Sequence, residues 1–230
     1  MKKISIVIPV INEAETIGKV ITSIPKREIQ RLGYDYEIIV VNTKSTDGTP
    51  KIARKLKARV IEEPKRGYGR AYMTGFKAAK GQYIVMTDGD YTYRMEDIPR
   101  LIRTMEKTGA DMVLGSRFRG KMEKGAMPFI NLIGNVFLTG LVDILFLKFL
   151  TDTHSGLRMF KKKTYNSLSM KCTGMDFASE LLLRSIRKGL KIAEIPINYR
   201  RRIAGKKKLK VLRDGFGHFK LIISFRLGIE

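Results

Sequence analysis

Cysteine, histidine and acidic side chains are scarce in this chain. One cysteine, Cys172, excludes an internal disulfide framework and fits a reducing compartment. Two histidines and that cysteine are too few soft ligands for a typical structural zinc site. Aspartate and glutamate number 22 against 45 lysines and arginines, for a net charge of +23. That imbalance favours anionic partners: nucleic acid, an anionic membrane surface or polyanionic substrates. Repeats and low-complexity linkers are missing too, and no break in composition forces two domains.

Long uninterrupted apolar runs are also lacking. A spanning helix needs about 20 nearly continuous apolar residues. The best candidate, Pro128–Leu150, is broken by Asn131, Asn135, Asp143 and Lys148, so a half-buried or interfacial helix is expected. At the N-terminus two lysines precede a short apolar stretch, but Asn12, Glu13 and Glu15 follow with no cleavage-like site, which makes it a first strand. The final apolar stretch, Leu221–Phe225, is too short to span. The expectation is a peripheral protein with no transmembrane domain.

At 43% hydrophobic, the 230 residues can bury a full core. The first half alternates strand and helix patterns. Ile4–Pro9, Tyr36–Val41, Arg59–Glu62, Tyr83–Thr87 and Met112–Leu114 read as strands. Between them Glu13–Ile24, Asp47–Leu56, a segment ending at Ala79, and Glu96–Lys107 read as helices. This order predicts an α/β fold with a mostly parallel, doubly wound sheet. The second half is less regular: the apolar helix, a strand at Leu157–Phe160, a helix at Asp176–Lys188, a strand at Ile192–Tyr199, a basic loop at Arg200–Lys208 and an amphipathic helix at Leu209–Leu227.

The most informative motif is Asp88-Gly-Asp90, directly after the apolar run Tyr83–Met86. In open α/β sheets, ligands bind at the carboxyl ends of the strands. Two carboxylates there, one small residue apart, suit a hard divalent cation and the phosphates it carries. A lone Asp-x-Asp is more often a solvated turn or a helix cap; following a buried strand weakens that reading. Pro9-Val-Ile-Asn12-Glu13 and Asn42-Thr-Lys-Ser-Thr-Asp47-Gly-Thr49 close the first two strands, where capping turns are the plain alternative to a nucleotide loop. Arg66-Gly-Tyr-Gly-Arg70 is only loosely like a phosphate loop. The dense run Arg200–Lys208 is a solvated face, a nucleic-acid patch or a diphosphate clamp. His154 and Cys172 read as ordinary packing residues.

Taken in order, these motifs resemble the family-2 glycosyltransferases, and most closely their dolichyl- or polyprenyl-phosphate sugar synthase branch. The matching residues also include Glu96-Asp-Ile-Pro99, Gly115-Ser-Arg117-Phe118, Asp152-Thr-His-Ser-Gly156, Phe177-Ala-Ser-Glu180 and Glu194-Ile-Pro196. The resemblance implies a GT-A fold of Rossmann-like type over residues 1–230. About 1–118 would be a nucleotide-sugar half and about 119–230 an acceptor and membrane-facing half. It implies inverting transfer of a hexose from a GDP- or UDP-sugar to a polyprenyl or dolichyl phosphate, with Mg²⁺ or Mn²⁺ on Asp88 and Asp90. Donor contacts are expected from Pro9, Asn12, Glu13, Asn42, Asp47, Arg70, Asp88, Gly89, Arg202 and Lys208. Acceptor contacts are expected from Ser116, Arg117, Asn131 and Ser155. Asp88, Asp90, Arg117 and Asp152 form the expected catalytic set. The expected location is the cytoplasmic face of the cell membrane, with no nucleic-acid partner.

Several positions depart from the family pattern. Asn42, Thr43 and Lys44 stand where an aspartate, often followed by another acid or threonine, is usual. Thr92 replaces a third metal-side ligand, Asn131 an arginine, and Lys207 a serine near the basic loop. A hydroxyl-acceptor transferase would need a carboxylate base, for which Asp152, Asp176 or Glu180 are candidates. A nucleic-acid-binding domain would call for an aromatic-interleaved basic sheet or a recognition helix, and neither is found.

Overall fold

The computed structural model describes residues 1–204 and 211–229. In chain order the elements are β1 (Lys2–Val10), α1 (Ala14–Thr22), α2 (Lys26–Arg31), β2 (Tyr34–Asn42), α3 (Thr49–Lys55) and β3 (Arg59–Glu62). Next come α4 (Tyr68–Ala78), β4 (Tyr83–Met86), a 3₁₀ turn (Met95–Asp97), α5 (Ile98–Thr108), β5 (Met112–Ser116) and α6 (Phe129–Phe146). Then follow β6 (Arg158–Lys161), α7 (Lys162–Asn166), α8 (Phe177–Arg187), β7 (Ile192–Pro196) and α9 (Val211–Leu227).

Seven strands form one sheet in the order β3-β2-β1-β4-β6-β5-β7. β1 pairs in parallel with β2 and β4, β2 with β3, and β5 with β7. β6 runs antiparallel between β4 and β5. The mostly parallel sheet is therefore as expected, with one reversed strand inside it. The chain order reverses beside β1, between β2 and β4, and an open sheet offers its ligand crevice at such a switch point.

Both faces of the sheet are covered, which is why the strands read as continuous apolar runs. Ile4, Ile6 and Ile8 of β1 turn to one face, against Ile17, Val20 and Ile21 of α1 and Leu101 and Ile102 of α5. Val7, Ile39 and Val41 turn to the other, against Ala71, Tyr72 and Phe76 of α4 and Leu181 and Leu182 of α8. In α5 the apolar positions Ile98, Leu101, Ile102 and Met105 recur at helical spacing and are all buried.

Elements in both halves depart from expectation. α2 and α7 went unforeseen, and the helix expected from Glu96 begins at Ile98, after the 3₁₀ turn. The strand expected to reach Tyr199 ends at Pro196. α6 is 18 residues long with a mean hydropathy of 1.9, long and apolar enough to cross a membrane. Only Leu138, Thr139 and Val142 of it are buried, on the side that packs with α9. Phe129, Ile130, Ile133, Val136, Phe137 and Ile144 are exposed, as are Leu147 and Phe149 just beyond it.

Candidate active site

The acidic pair follows the carboxyl end of β4. Asp88 Oδ1 accepts hydrogen bonds from the hydroxyls of Tyr68 (3.0 Å) and Tyr72 (3.1 Å) of α4. Burial, with Asp88's charge adding to it, holds both phenols well above their ordinary range, so they stay protonated donors. Burial also pushes the Asp88 carboxyl up, with the neighbouring Asp90 charge adding to it, to about 6. Asp90 Oδ1 is held by the backbone N–H (3.0 Å) and hydroxyl (2.6 Å) of Thr92. Thr92 thus fixes the second acid's direction from the position where a third ligand was expected.

Two glycines let the backbone close around this pair. A Cβ on Gly89 would sit 2.8 Å from Val10 Cγ1 and 3.3 Å from the Pro9 carbonyl, so only glycine lets the acidic loop lie on the end of β1. A Cβ on Gly156 would fall 2.9 Å from Asp88 Oδ2. That oxygen takes no hydrogen bond among the described residues, and Gly156 keeps the space beside it clear. No group of three His, Cys, Asp or Glu side chains converges among the described residues. The pair therefore fits a cation bound by two carboxylates, whose other ligands are phosphate oxygens and water. It does not fit an all-protein cage.

The loops after β1 and β2 are stapled together. Asn12, with a φ of 52°, donates its N–H to Ser45 Oγ and accepts the Thr46 N–H on Oδ1 at 2.8 Å. Asp47 caps two helix starts, accepting from Ala14 N on one oxygen and from Thr49 N and its hydroxyl on the other. Burial would raise its carboxyl, but these hydrogen bonds outweigh it and hold the group below its ordinary value. Asp47 is thus bound into the scaffold of these two loops. Asn42 is buried; its Nδ2 donates to Glu62 Oε2 at 2.6 Å and its Oδ1 accepts the Ser45 N–H at 3.3 Å. The N-terminus of α4 is already satisfied by protein, since Gly69 N and Arg70 N donate to the Gly174 and Thr173 carbonyls. The loose resemblance of Arg66–Arg70 to a phosphate loop therefore does not carry over to its backbone.

Arg202 reaches the acids from the second half of the chain. Arg202 bonds Asp90 Oδ2 and lies 3.6 Å from Glu13 Oε1, so a guanidinium bridges two carboxylates from different loops. Arg200 stacks on the Tyr91 ring at 4.4 Å. Among the described residues, Arg70 Nε, Arg94 Nε, Arg200 Nη1 and Arg202 Nη1 are buried nitrogens without a hydrogen-bond acceptor. Unsatisfied buried cationic donors invite an anion. Lys208 lies outside the described residues, as does Lys207.

On the far side of the pair, Arg117 and Asp152 form a buried two-pronged ion pair. Nε and Nη2 donate to the two carboxylate oxygens at 2.7 Å each, and the Arg117 backbone N–H adds a third bond at 2.9 Å. Burial opposes the Arg117 charge, but Asp152 outweighs it and keeps the guanidinium protonated. Its plane also lies over Tyr199 and Phe118. Glu194 of β7 grips the Thr151 and Asp152 N–H groups. Arg158, fully buried, donates to the Ser155, Thr153 and Ala178 carbonyls. Ser116 Oγ is 2.6 Å from Thr151 Oγ1, while Ser155 Oγ and Asn131 Oδ1 are buried without hydrogen-bond partners among the described residues.

Two of the three expected alternatives for a general base, Asp152 and Glu180, are spent. Asp152 is fully buried and both its oxygens are bound to Arg117. Glu180 accepts from Lys171 N, Cys172 N and Arg184 Nε. Asp176 opens α8, half-buried. His154 bonds Thr153 and meets the His218 ring edge-on; burial pulls both imidazoles below their ordinary range. Sequence reasoning assigned no role to Tyr68, Tyr72, Glu62, Arg158 or Glu194. The two tyrosines sat inside a matched motif and two residues after it; an apolar-looking helix face hid them.

Comparison with known proteins agrees with this geometry. Residues 5–178 match the profile of glycosyl transferase family 2. A low-salt glycan biosynthesis hexosyltransferase, Agl6, of Haloferax volcanii is 35% identical over 221 residues, 96% of this chain and 53% of that protein. The chain thus spans about half the length of that relative. A dolichyl-phosphate hexose transferase of the same organism is 35% identical over 96% of this chain and 92% of its own length. Glucosyl-3-phosphoglycerate synthase of Mycobacterium tuberculosis, solved with Mn²⁺, UDP and its product, superposes with a TM-score of 0.76 at 24% identity, over 100% of this chain and 81% of that one. The sheet and its flanking helices are the GT-A fold, and with an archaeal relative matching it nearly end to end, the chain belongs to glycosyl transferase family 2.

Proposed function

We propose that this enzyme transfers a hexose from a nucleoside-diphosphate sugar to a polyprenyl phosphate, such as dolichyl phosphate, at the cytoplasmic face of the membrane. One connection carries the reading. Thr139 of α6 bonds Thr153 through its hydroxyl at 2.9 Å, so the apolar helix is tied to the loop that holds Asp152, and through it Arg117. A lipid-facing helix and an anion-binding arginine thus share one scaffold beside the acidic pair. The name of the Haloferax dolichyl-phosphate relative supports the same acceptor class.

The chain's own residues supply electrostatics more than proton transfer. Tyr68 and Tyr72 orient Asp88, and Thr92 orients Asp90. A divalent cation on this pair would neutralise charge developing on the departing diphosphate. Arg202, with its unsatisfied Nη1, turns from Asp90 toward the phosphates. Arg117, held rigid by Asp152, offers its remaining edge to the acceptor phosphate, with Ser155 and Asn131 as further polar contacts. An acceptor phosphate oxygen attacks the anomeric carbon as the bond to the diphosphate breaks, inverting that carbon. This oxygen is already ionised near neutral pH, so no general base is required. The engagement of Asp152 and Glu180 agrees with that.

Exposed Phe and Leu side chains of α6 and α9, among a strong excess of basic residues, support peripheral docking on an anionic leaflet. The test is nucleotide release from a panel of UDP- and GDP-sugars with Mg²⁺ or Mn²⁺, with and without polyprenyl phosphate in vesicles. Release that needs both cation and lipid phosphate is expected. Release that needs only a sugar hydroxyl acceptor would replace this reading.

A further inference from the structure

The donor reading above leaves the nucleobase open, and the surroundings of Asn42 address it. The carboxyl ends of β4, β1 and β2 are consecutive in the sheet, with Val10 of β1 directly paired to Asn42 of β2. At the usual strand spacing Asn42 lies on the order of 10 Å from the acidic pair, about the reach of a nucleoside from its diphosphate. Toward β6 the way is filled by Gly156, Tyr93 and the Arg117–Asp152 pair. A nucleoside on that diphosphate therefore runs over the ends of β1 and β2.

There the Asn42 amide is polarised from one side. Its Nδ2 donates to Glu62 Oε2 at 2.6 Å, and Glu62 Oε1 in turn accepts from Arg54 Nη2 at 3.0 Å. An asparagine amide turns over easily, but its two neighbours do not change character. The Glu62 carboxylate only accepts and the Ser45 N–H only donates. Glu62 therefore demands the NH₂ end of Asn42. The oxygen is left facing the Ser45 turn at the crevice rim, with one long bond of 3.3 Å and a spare lone pair.

We propose that Glu62 is a positioning residue that locks the Asn42 amide so that its oxygen is what the nucleobase meets. This selects bases carrying an N–H on the pairing edge, uracil at N3 or guanine at N1. It disfavours cytosine and adenine, which present a bare nitrogen there. The inference also accounts for asparagine at this position. An aspartate would offer the same acceptor, but would place a second carboxylate within hydrogen-bond range of Glu62 and repel it. Asn42 and Glu62 together reproduce the acceptor without the extra charge.

The test is calorimetric binding of UDP, GDP, CDP and ADP, with Mn²⁺, to the full chain. The wild type is expected to favour UDP or GDP over both CDP and ADP by roughly 10-fold or more. In Glu62→Gln the neighbour can accept or donate and only the long 3.3 Å Ser45 bond still holds the amide, so that ratio falls. In Glu62→Lys the neighbour only donates and opposes that weak bond, so the ratio falls further, toward CDP or ADP. The double variant Asn42→Asp with Glu62→Gln restores a fixed acceptor and the original ratio. A purely structural role for Glu62 would weaken all four nucleotides alike. Unchanged ratios in both single variants, with every nucleotide still binding, overturn the inference and leave the donor reading intact; so does a wild type that prefers CDP or ADP. A wild type that binds none of the four overturns the donor reading and this inference with it.

Discussion

The two halves of the molecule are built on different physical terms. In the half up to Ser116, four parallel-paired strands present consecutive loops that bond one another through short polar side chains: Asn12 to Ser45 and Thr46, Asp47 to Ala14 and Thr49, Thr16 to the Gly89 carbonyl. These loops pair most of their polar groups within the protein, while the buried Nε atoms of Arg70 and Arg94 have no hydrogen-bond partner among the described residues. The second half places its polar groups in one dense buried cluster around Arg117, Asp152 and Arg158, and leaves a long apolar helix face open. The first half holds a preorganised electrostatic site; the second leaves an apolar helix face open. On the function proposed above, one sheet would serve a water-soluble donor and a lipid-borne acceptor without either site intruding on the other.

The sharpest way to break that comparison is to remove an acid. Asp90→Ala should lower metal-dependent turnover at least about 10³-fold, the scale of losing a main electrostatic element of a transition state. Its melting temperature should stay close to wild type, because Asp90 bonds only Thr92 and Arg202 at the rim. Turnover and a thermal melt on the same sample decide it, and near-normal turnover would remove Asp90 from the metal assignment.

The second half should respond in the opposite way, with stability before chemistry. Asp152→Ala leaves Arg117, 7% exposed, without its counter-charge. Breaking a buried pair from one side costs about 3–5 kcal/mol. Chemical denaturation should show that loss, whereas UDP or GDP affinity should change little, since the pair lies across Asp88 from Asn42. A large drop in nucleotide affinity at unchanged stability would mean that the two halves are not separable in this way.

A gentler probe is the open face of α6. Ile133 and Phe137 lie one turn apart and are 50% and 59% exposed. Changing both to serine removes apolar surface that the fold does not use, so folding and nucleotide binding should persist. Binding to anionic vesicles should weaken roughly 10-fold. Sedimentation with vesicles measures it; unchanged partition would place the docking surface elsewhere.

How much of this was legible in the residues follows the same division. The buried strands of the first half announced themselves as β-branched runs ending in polar turns, and the acidic pair was visible because it directly followed one. Helix ends were read a residue or two wide because the capping side chain lies outside the helix: Asp47 was taken as the start of a helix that begins at Thr49. Partnerships across distance were not legible. Arg117 and Asp152 were each singled out, but their pairing spans 35 positions with the whole of α6 between them, and no local pattern predicts it. The departure at Asn42 was plain, whereas its explanation sits at Glu62, on the end of the neighbouring strand. Tyr68 and Tyr72 were silent because tyrosines four apart on a helix read as packing, and only the fold brings their hydroxyls to Asp88.

The smallest expected effect tests the donor half's economy of charge. Arg202 now occupies the carboxylate that a cation would need, bonded to Asp90 and close to Glu13. A partly exposed ion pair of this kind is worth about 0.2–1 kcal/mol. Removing the competitor in Arg202→Gln should therefore raise Mn²⁺ affinity without nucleotide by roughly 2- to 5-fold. With UDP or GDP present the sign should reverse, because the diphosphate loses a guanidinium that would have turned toward it. Manganese resonance titrations with and without nucleotide read both numbers. Opposite signs mean that the arginine exchanges partners as the donor arrives, so the empty site never carries two unbalanced carboxylates. The same sign in both titrations would make Arg202 a fixed structural clamp, and the preorganisation of this half would then rest on the tyrosine and threonine hydrogen bonds alone.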